Sequence, residues 1–133
     1  MIDRYLTAPL ARALRPVARL CVAAGIGADA ITLGGFALGL AGSACLAFGF
    51  YGAGLALILA NRLADGLDGA VARLTAPTDR GSFLDIALDF FFYATVPLGF
   101  AVADPAANAP PAALLVTAFV GTGSSFLAFA VIA

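Results

Sequence analysis

The residues with chemistry to offer are aspartates. Asp65, Asp68, Asp85 and Asp89 fall inside two consecutive apolar stretches, and a charge placed there is costly and marks a functional site by default. Asp65, Asp68, Gly69 and Ala72 stand at i, i+3, i+4 and i+7 and share one helix face. Gly81, Asp85 and Asp89 stand at i, i+4 and i+8 and do the same. Measured from Leu74 at about 1.5 Å per residue, Asp68 lies ~9 Å and Asp65 ~13 Å up its helix. Measured from Gly81, Asp85 lies ~6 Å and Asp89 ~12 Å in. If the two helices are antiparallel, the four carboxylates converge at one depth. They cannot sit together ionised without cations, and only Arg62 and Arg73 are near in sequence. An all-oxygen set selects a hard divalent ion, Mg²⁺, Mn²⁺ or Ca²⁺. Two such ions would balance the charge and could hold substrate phosphates. Gly69 and Ala72 leave room for a ligand, and Arg73 suits a phosphate.

The rest of the inventory narrows the chemistry further. All 7 basic residues are Arg and all 8 acidic ones Asp, with no His. That excludes zinc–histidine sites, serine–histidine hydrolysis and ferritin-like carboxylate sites, which need Glu and His. No nucleic-acid partner is expected. Cys21 and Cys45 stand singly in apolar surroundings and read as small core hydrophobes.

The elements that must position the aspartates are membrane helices. Of 133 residues, 62% are hydrophobic and 11% charged, and mean hydropathy is +1.02, far from an ordinary soluble domain. The length suits about four spans of roughly 20 residues. Apolar runs cover about 30–50, 53–74, 82–103 and 111–133, the second and third carrying the aspartates. They do not alternate, so helices rather than barrel strands are expected. The alanine-rich stretch around Asn108 reads as a short loop. Four Arg precede the first span, and Arg73 and Arg80 flank the connection Leu74–Gly81. The positive-inside rule then puts the N-terminus and that connection in the cytoplasm.

Residues 2–24 read as an amphipathic interfacial segment. Ile2, Leu6, Leu10, Leu14 and Val17 share one side, Arg4, Arg12, Arg15 and Arg19 the other, with Pro9 and Pro16 interrupting it. It serves either as an anchor on anionic lipid or as a topology signal. Gly35, Gly39 and Ser43 at i, i+4 and i+8, and Gly121 with Ser125, offer small faces for close helix approach. The chain closes on an apolar run, Phe126–Ala133, without a polar flank, an ending expected of a fragment of a longer membrane protein.

The segment Asn61–Asp89 resembles the signature of the CDP-alcohol phosphotransferases, an integral-membrane family of phospholipid biosynthesis with the pattern D-x2-D-G-x2-A-R-x8-G-x3-D-x3-D. Asp65, Asp68, Gly69, Ala72, Arg73, Gly81, Asp85 and Asp89 occupy its fixed positions. Seven residues, Leu74–Arg80, fill the spacer where the family commonly has one more, and the shortening falls in the cytoplasmic turn. Upstream, Asp29-Ala-Ile-Thr32 is similar to the family's Asn-x-x-Thr, with Asp in place of Asn.

The resemblance implies an all-α integral membrane protein of the inner (cytoplasmic) membrane, whose single domain spans 1–133. Family members typically have about six spans of roughly 20 residues and form homodimers, so a truncated chain is implied. It implies transfer of a phosphatidyl group from CDP-diacylglycerol, or another CDP-alcohol, to the hydroxyl of a small alcohol, with release of CMP. By carry-over Asp65, Asp68, Asp85 and Asp89 hold Mg²⁺ or Mn²⁺, as two ions, and Asp89 is also the general base. Gly69, Ala72, Arg73, Thr78, Gly81 and Thr32 would contact the CDP moiety. Glycerol 3-phosphate, inositol phosphate, serine, choline and ethanolamine all stay open as acceptors. Two other readings compete: a catalytically incomplete remnant that keeps the motif, and a transporter with an aspartate-lined divalent-ion or proton site.

Overall fold

The computed structural model describes residues 3–132, with side chains of 13–129 and of Ile132. Five helices follow one another: α1 (Asp3–Ala23), α2 (Ala28–Ala47), α3 (Tyr51–Thr75), α4 (Asp79–Ala103) and α5 (Pro105–Ile132). Among the described residues there is no strand. α2 packs on both α3 and α4, α1 lies on the far side of α3, and α5 lies on α4. The order across the bundle is therefore α1, α3, α2, α4, α5.

The turns follow from a few residues. Gly25 (φ +75°) and Gly49 (φ +79°) close α1 and α2 in the left-handed conformation. Each is followed by the wide backbone bond of a Schellman cap, Ile26 N–H to Cys21 O at 2.9 Å and Phe50 N–H to Cys45 O at 2.8 Å. α3 ends at Ala76, a non-glycine residue held at φ +83° just before Pro77. Thr78 opens α4, its Oγ1 accepting from Gly81 N–H at 3.0 Å.

This is an all-α integral membrane protein. α2, α4 and α5 are long and apolar enough to cross a membrane. α3, at 25 residues, has the length and lies between two of them, but it carries Arg62, Asp65, Asp68 and Arg73. The burial pattern is that of a protein solvated by lipid. Leucine, phenylalanine and valine side chains point outward on every helix, while the interior of α2 is Gly35, Gly39, Gly42 and Ser43. Those small residues let the backbones close up. A Cβ on Gly35 would stand 2.8 Å from Ala64 Cβ, and one on Gly39 2.6 Å from the Phe92 ring. Ser43 Oγ lies 2.9 Å from Thr95 Oγ1 across α2 and α4.

Three expectations need correction. α1 is one uninterrupted helix through Pro9 and Pro16. Its inward face is Leu14, Ala18 and Cys21, packed on Leu67, Ala70 and Val71 of α3, while Val17 points outward. The side chains of Ile2, Arg4, Leu6, Leu10 and Arg12 lie outside the described residues. The stretch around Asn108 is helix, because Pro105 takes the first helical position, where a missing N–H costs nothing. Asp104 Oδ1 also accepts from Ala107 N–H at 3.1 Å. Finally, α5 approaches α4 through Gly123, where a Cβ would stand 3.3 Å from the Phe90 ring, whereas Gly121 faces open space.

Candidate active site

α3 and α4 bring their acids together over α2. One carboxylate oxygen each from Asp65, Asp68 and Asp85 lies within 4.8 Å of the others. Asp68 is 5% exposed and accepts a 2.7 Å hydrogen bond from Thr32 Oγ1 on α2, which fixes its rotamer. Asp65 lies 3.7 Å from the Arg62 guanidinium. Among the described residues, neither Asp68 nor Asp85 has an arginine partner.

Three acidic groups facing one partial counter-charge demand further positive charge. The donor set is hard oxygen throughout, which fits Mg²⁺ or Mn²⁺ and does not fit a softer metal.

Asp89 stands beside this trio rather than in it. Its Oδ1 accepts from Arg62 Nη2 at 2.6 Å, and its Oδ2 accepts from Tyr93 Oη at 2.7 Å. All four aspartates line one narrow cleft, closed by Thr32, Gly35, Phe36, Asn61 and Leu88. The convergence expected from helix rise thus holds for three. Arg62, one turn beyond Asp65, draws the fourth to itself.

Toward the α3–α4 connection the cleft opens into a cavity of about 310 Å³, within the roughly 300–1,000 Å³ typical of small-molecule sites. Thr32, Gly69, Ala72, Thr78 and Gly81 all line it, with Asp68 and Asp85 at its inner end. Small residues make the space. A Cβ on Gly81 would stand 3.1 Å from Asp29 Oδ1 and from Thr78 Oγ1. Arg73 is exposed and does not line the cavity wall. Its Nη1 lies 3.4 Å from where a Cβ on Gly69 would be, so the guanidinium folds back over Gly69 at the rim. Asp29 also lines the cavity and pairs with Arg80 at 3.6 Å.

Asn61 and Tyr93 escaped the reading of the sequence. Asn61, 4% exposed, donates to Gly35 O at 2.8 Å and accepts from Arg62 Nε at 2.9 Å. The signal was present. Asn61-Arg62 is a polar pair inside an apolar helix, and Tyr93 follows Asp89 by one turn.

The site is thus an acidic oxygen-donor cluster beside a cavity, inside a helical membrane protein. The profile of the CDP-alcohol phosphatidyltransferase family matches residues 26–133, and the chain belongs to that family. It is 52% identical over 133 residues to the inner membrane protein YnjF of Escherichia coli (strain K12). That match covers 100% of this chain and 65% of the relative, so the chain spans just under two thirds of the relative's length. No solved structure matches the chain.

Proposed function

We propose that this protein transfers a phosphatidyl group from CDP-diacylglycerol to the hydroxyl of a small alcohol in phospholipid biosynthesis, releasing CMP. One observation carries the proposal: Asp68 and Asp85 of the three-aspartate cluster form the inner end of the cavity that Thr32, Gly69, Ala72, Thr78 and Gly81 line. Phosphate-directed charge and a nucleotide-sized space are thereby contiguous. Asp65, Asp68 and Asp85 would hold two Mg²⁺ or Mn²⁺ ions, which when bound neutralise the pyrophosphate charge that grows in the transition state.

The chain's own residues supply the rest. Thr32 orients Asp68. Gly69, Ala72, Thr78 and Gly81 admit the CDP moiety, and Arg73 contacts it at the rim. The alcohol oxygen bonds to the β-phosphorus, the bond from that phosphorus to the bridging oxygen breaks, and CMP leaves. Asp89 receives the alcohol proton. A carboxylate offers about four lone-pair sites, and its hydrogen bonds from Arg62 and Tyr93 use three of them. One position on Oδ1 stays free for that proton.

The arginine pattern supports a cytoplasmic face for this site, in the inner membrane, so that the nucleotide stays wet and the acyl chains stay in hydrocarbon. Family likeness supports a homodimer. The test is CMP release from CDP-diacylglycerol in detergent with a panel of alcohol acceptors. Release with one acceptor, present with Mg²⁺ and abolished by EDTA, is the expected result. Divalent-ion flux in vesicles without CMP release would favour the transport reading instead.

A further inference from the structure

Arg62 is the one arginine side chain among the described residues that is partly buried rather than exposed, and the reaction above gives it no task. Its donors are nearly spent. Nε–H goes to Asn61 Oδ1 at 2.9 Å, Nη1 to Tyr93 Oη at 3.0 Å and to Asp89 Oδ2 at 3.4 Å, and Nη2 to Asp89 Oδ1 at 2.6 Å. Tyr93 then donates to Asp89 Oδ2 at 2.7 Å, which closes a ring of three side chains. The guanidinium is held over the Phe92 and Tyr93 rings, 5.0 and 5.3 Å from their centroids. Asn61 ties the assembly to α2 through Gly35 O. An arginine so engaged has little left to offer a substrate phosphate. It grips one carboxylate, Asp89, on both oxygens with a planar fork and stands 3.7 Å from a second, Asp65, without a hydrogen bond to it.

We propose that Arg62 and Tyr93 are positioning residues for Asp89. They hold its carboxylate at the edge of the three-aspartate cluster, with one Oδ1 lone pair left to accept the alcohol proton. Asn61 sets the position of Arg62. This rests on the base role given to Asp89 above. The clamp joins α3 to α4 at a point where α2 packs on both, so the position of Asp89 is referred to all three helices.

The test uses Arg62→Met, Arg62→Lys, Tyr93→Phe and the double variant Arg62→Met/Tyr93→Phe. Each is measured for kcat, for KM toward CDP-diacylglycerol, for Mg²⁺-dependent CDP binding and for melting temperature in detergent. A misplaced base costs about 100-fold, so Arg62→Met is expected to lower kcat by about that factor with KM and CDP affinity unchanged. Tyr93→Phe, which removes one charge-assisted hydrogen bond, should lower kcat about tenfold. Arg62→Lys should recover part of the loss, and the double variant should fall little below Arg62→Met, because both act on one carboxylate. The clamp is overturned by a loss that appears in KM or CDP affinity, by a kcat loss that tracks melting temperature, or by unchanged kcat in Tyr93→Phe and Arg62→Met. If Asp89→Asn releases CMP as fast as the unaltered chain, the base role itself fails and the clamp fails with it; that outcome is separable because it needs no Arg62 or Tyr93 variant.

Discussion

The α2–α3–α4 unit and helix α5 are made of similar residues but built differently. In the first, glycines sit where backbones meet. Cβ atoms on Gly35, Gly39, Gly54 and Gly99 would come within 2.6–2.8 Å of a neighbour. Polar side chains cross between its helices, Ser43 to Thr95, Asn61 to Gly35 O, Arg62 to Asp89 and Thr32 to Asp68. α5 instead packs chiefly on α4, shows Leu114 and Phe129 at 74% and 66% exposure, and bonds its own hydroxyls back to its own carbonyls, as Thr117, Thr122 and Ser125 do. Close backbone approach and interhelical hydrogen bonds are the forces left to helices in lipid, where apolar burial drives nothing. The clustered carboxylates sit where those forces concentrate, which is what an active site needs when small displacements cost rate.

Asp68→Ala removes a buried member of the trio and should reduce Mg²⁺-dependent CMP release on the order of 1000-fold; CDP binding in Mg²⁺ should fall to its level in EDTA. Asp89→Asn should reduce turnover by at least about 100-fold, the usual contribution of a general base, yet leave CDP binding nearly intact. Side-by-side titrations of the two variants separate holding from proton transfer. The packing claim predicts a change in stability instead. Gly39→Val must displace the Phe92 ring, and overpacking of this kind costs about 1–3 kcal/mol, read as a lower melting temperature in detergent. Gly121→Val on α5 meets open space and should stay within about 0.5 kcal/mol. Equal losses in the two would erase the distinction.

Much of the site was legible because motif spacing and helix geometry agree. Three aspartates meet where a rise of 1.5 Å per residue puts them, and the cavity lies on the face that Gly69 and Ala72 keep small. The position of Asp89 was not legible. Helix rise gives depth, whereas the pull of Arg62 and Tyr93 depends on rotamers and on α2 lying between α3 and α4. The start of α5 was hidden by Pro110 and Pro111, which suggest a loop, although the cap at Asp104 and the proline at position 105 begin the helix earlier. Spacing alone also chose Gly121 over Gly123, since a small-residue stripe does not say which side the neighbour is on. The large apolar residues carried little directional information, because in lipid they face outward.

The central claim is that the aspartate trio binds divalent ions that hold a CDP-linked donor. It is tested most directly by counting bound Mn²⁺ by electron paramagnetic resonance in detergent, with and without CDP, in the unaltered chain and in Asp68→Ala. About two tightly bound ions per chain are expected in the presence of CDP, and none in the variant. Absence of saturable Mn²⁺ binding, or equal binding in both chains, would contradict it.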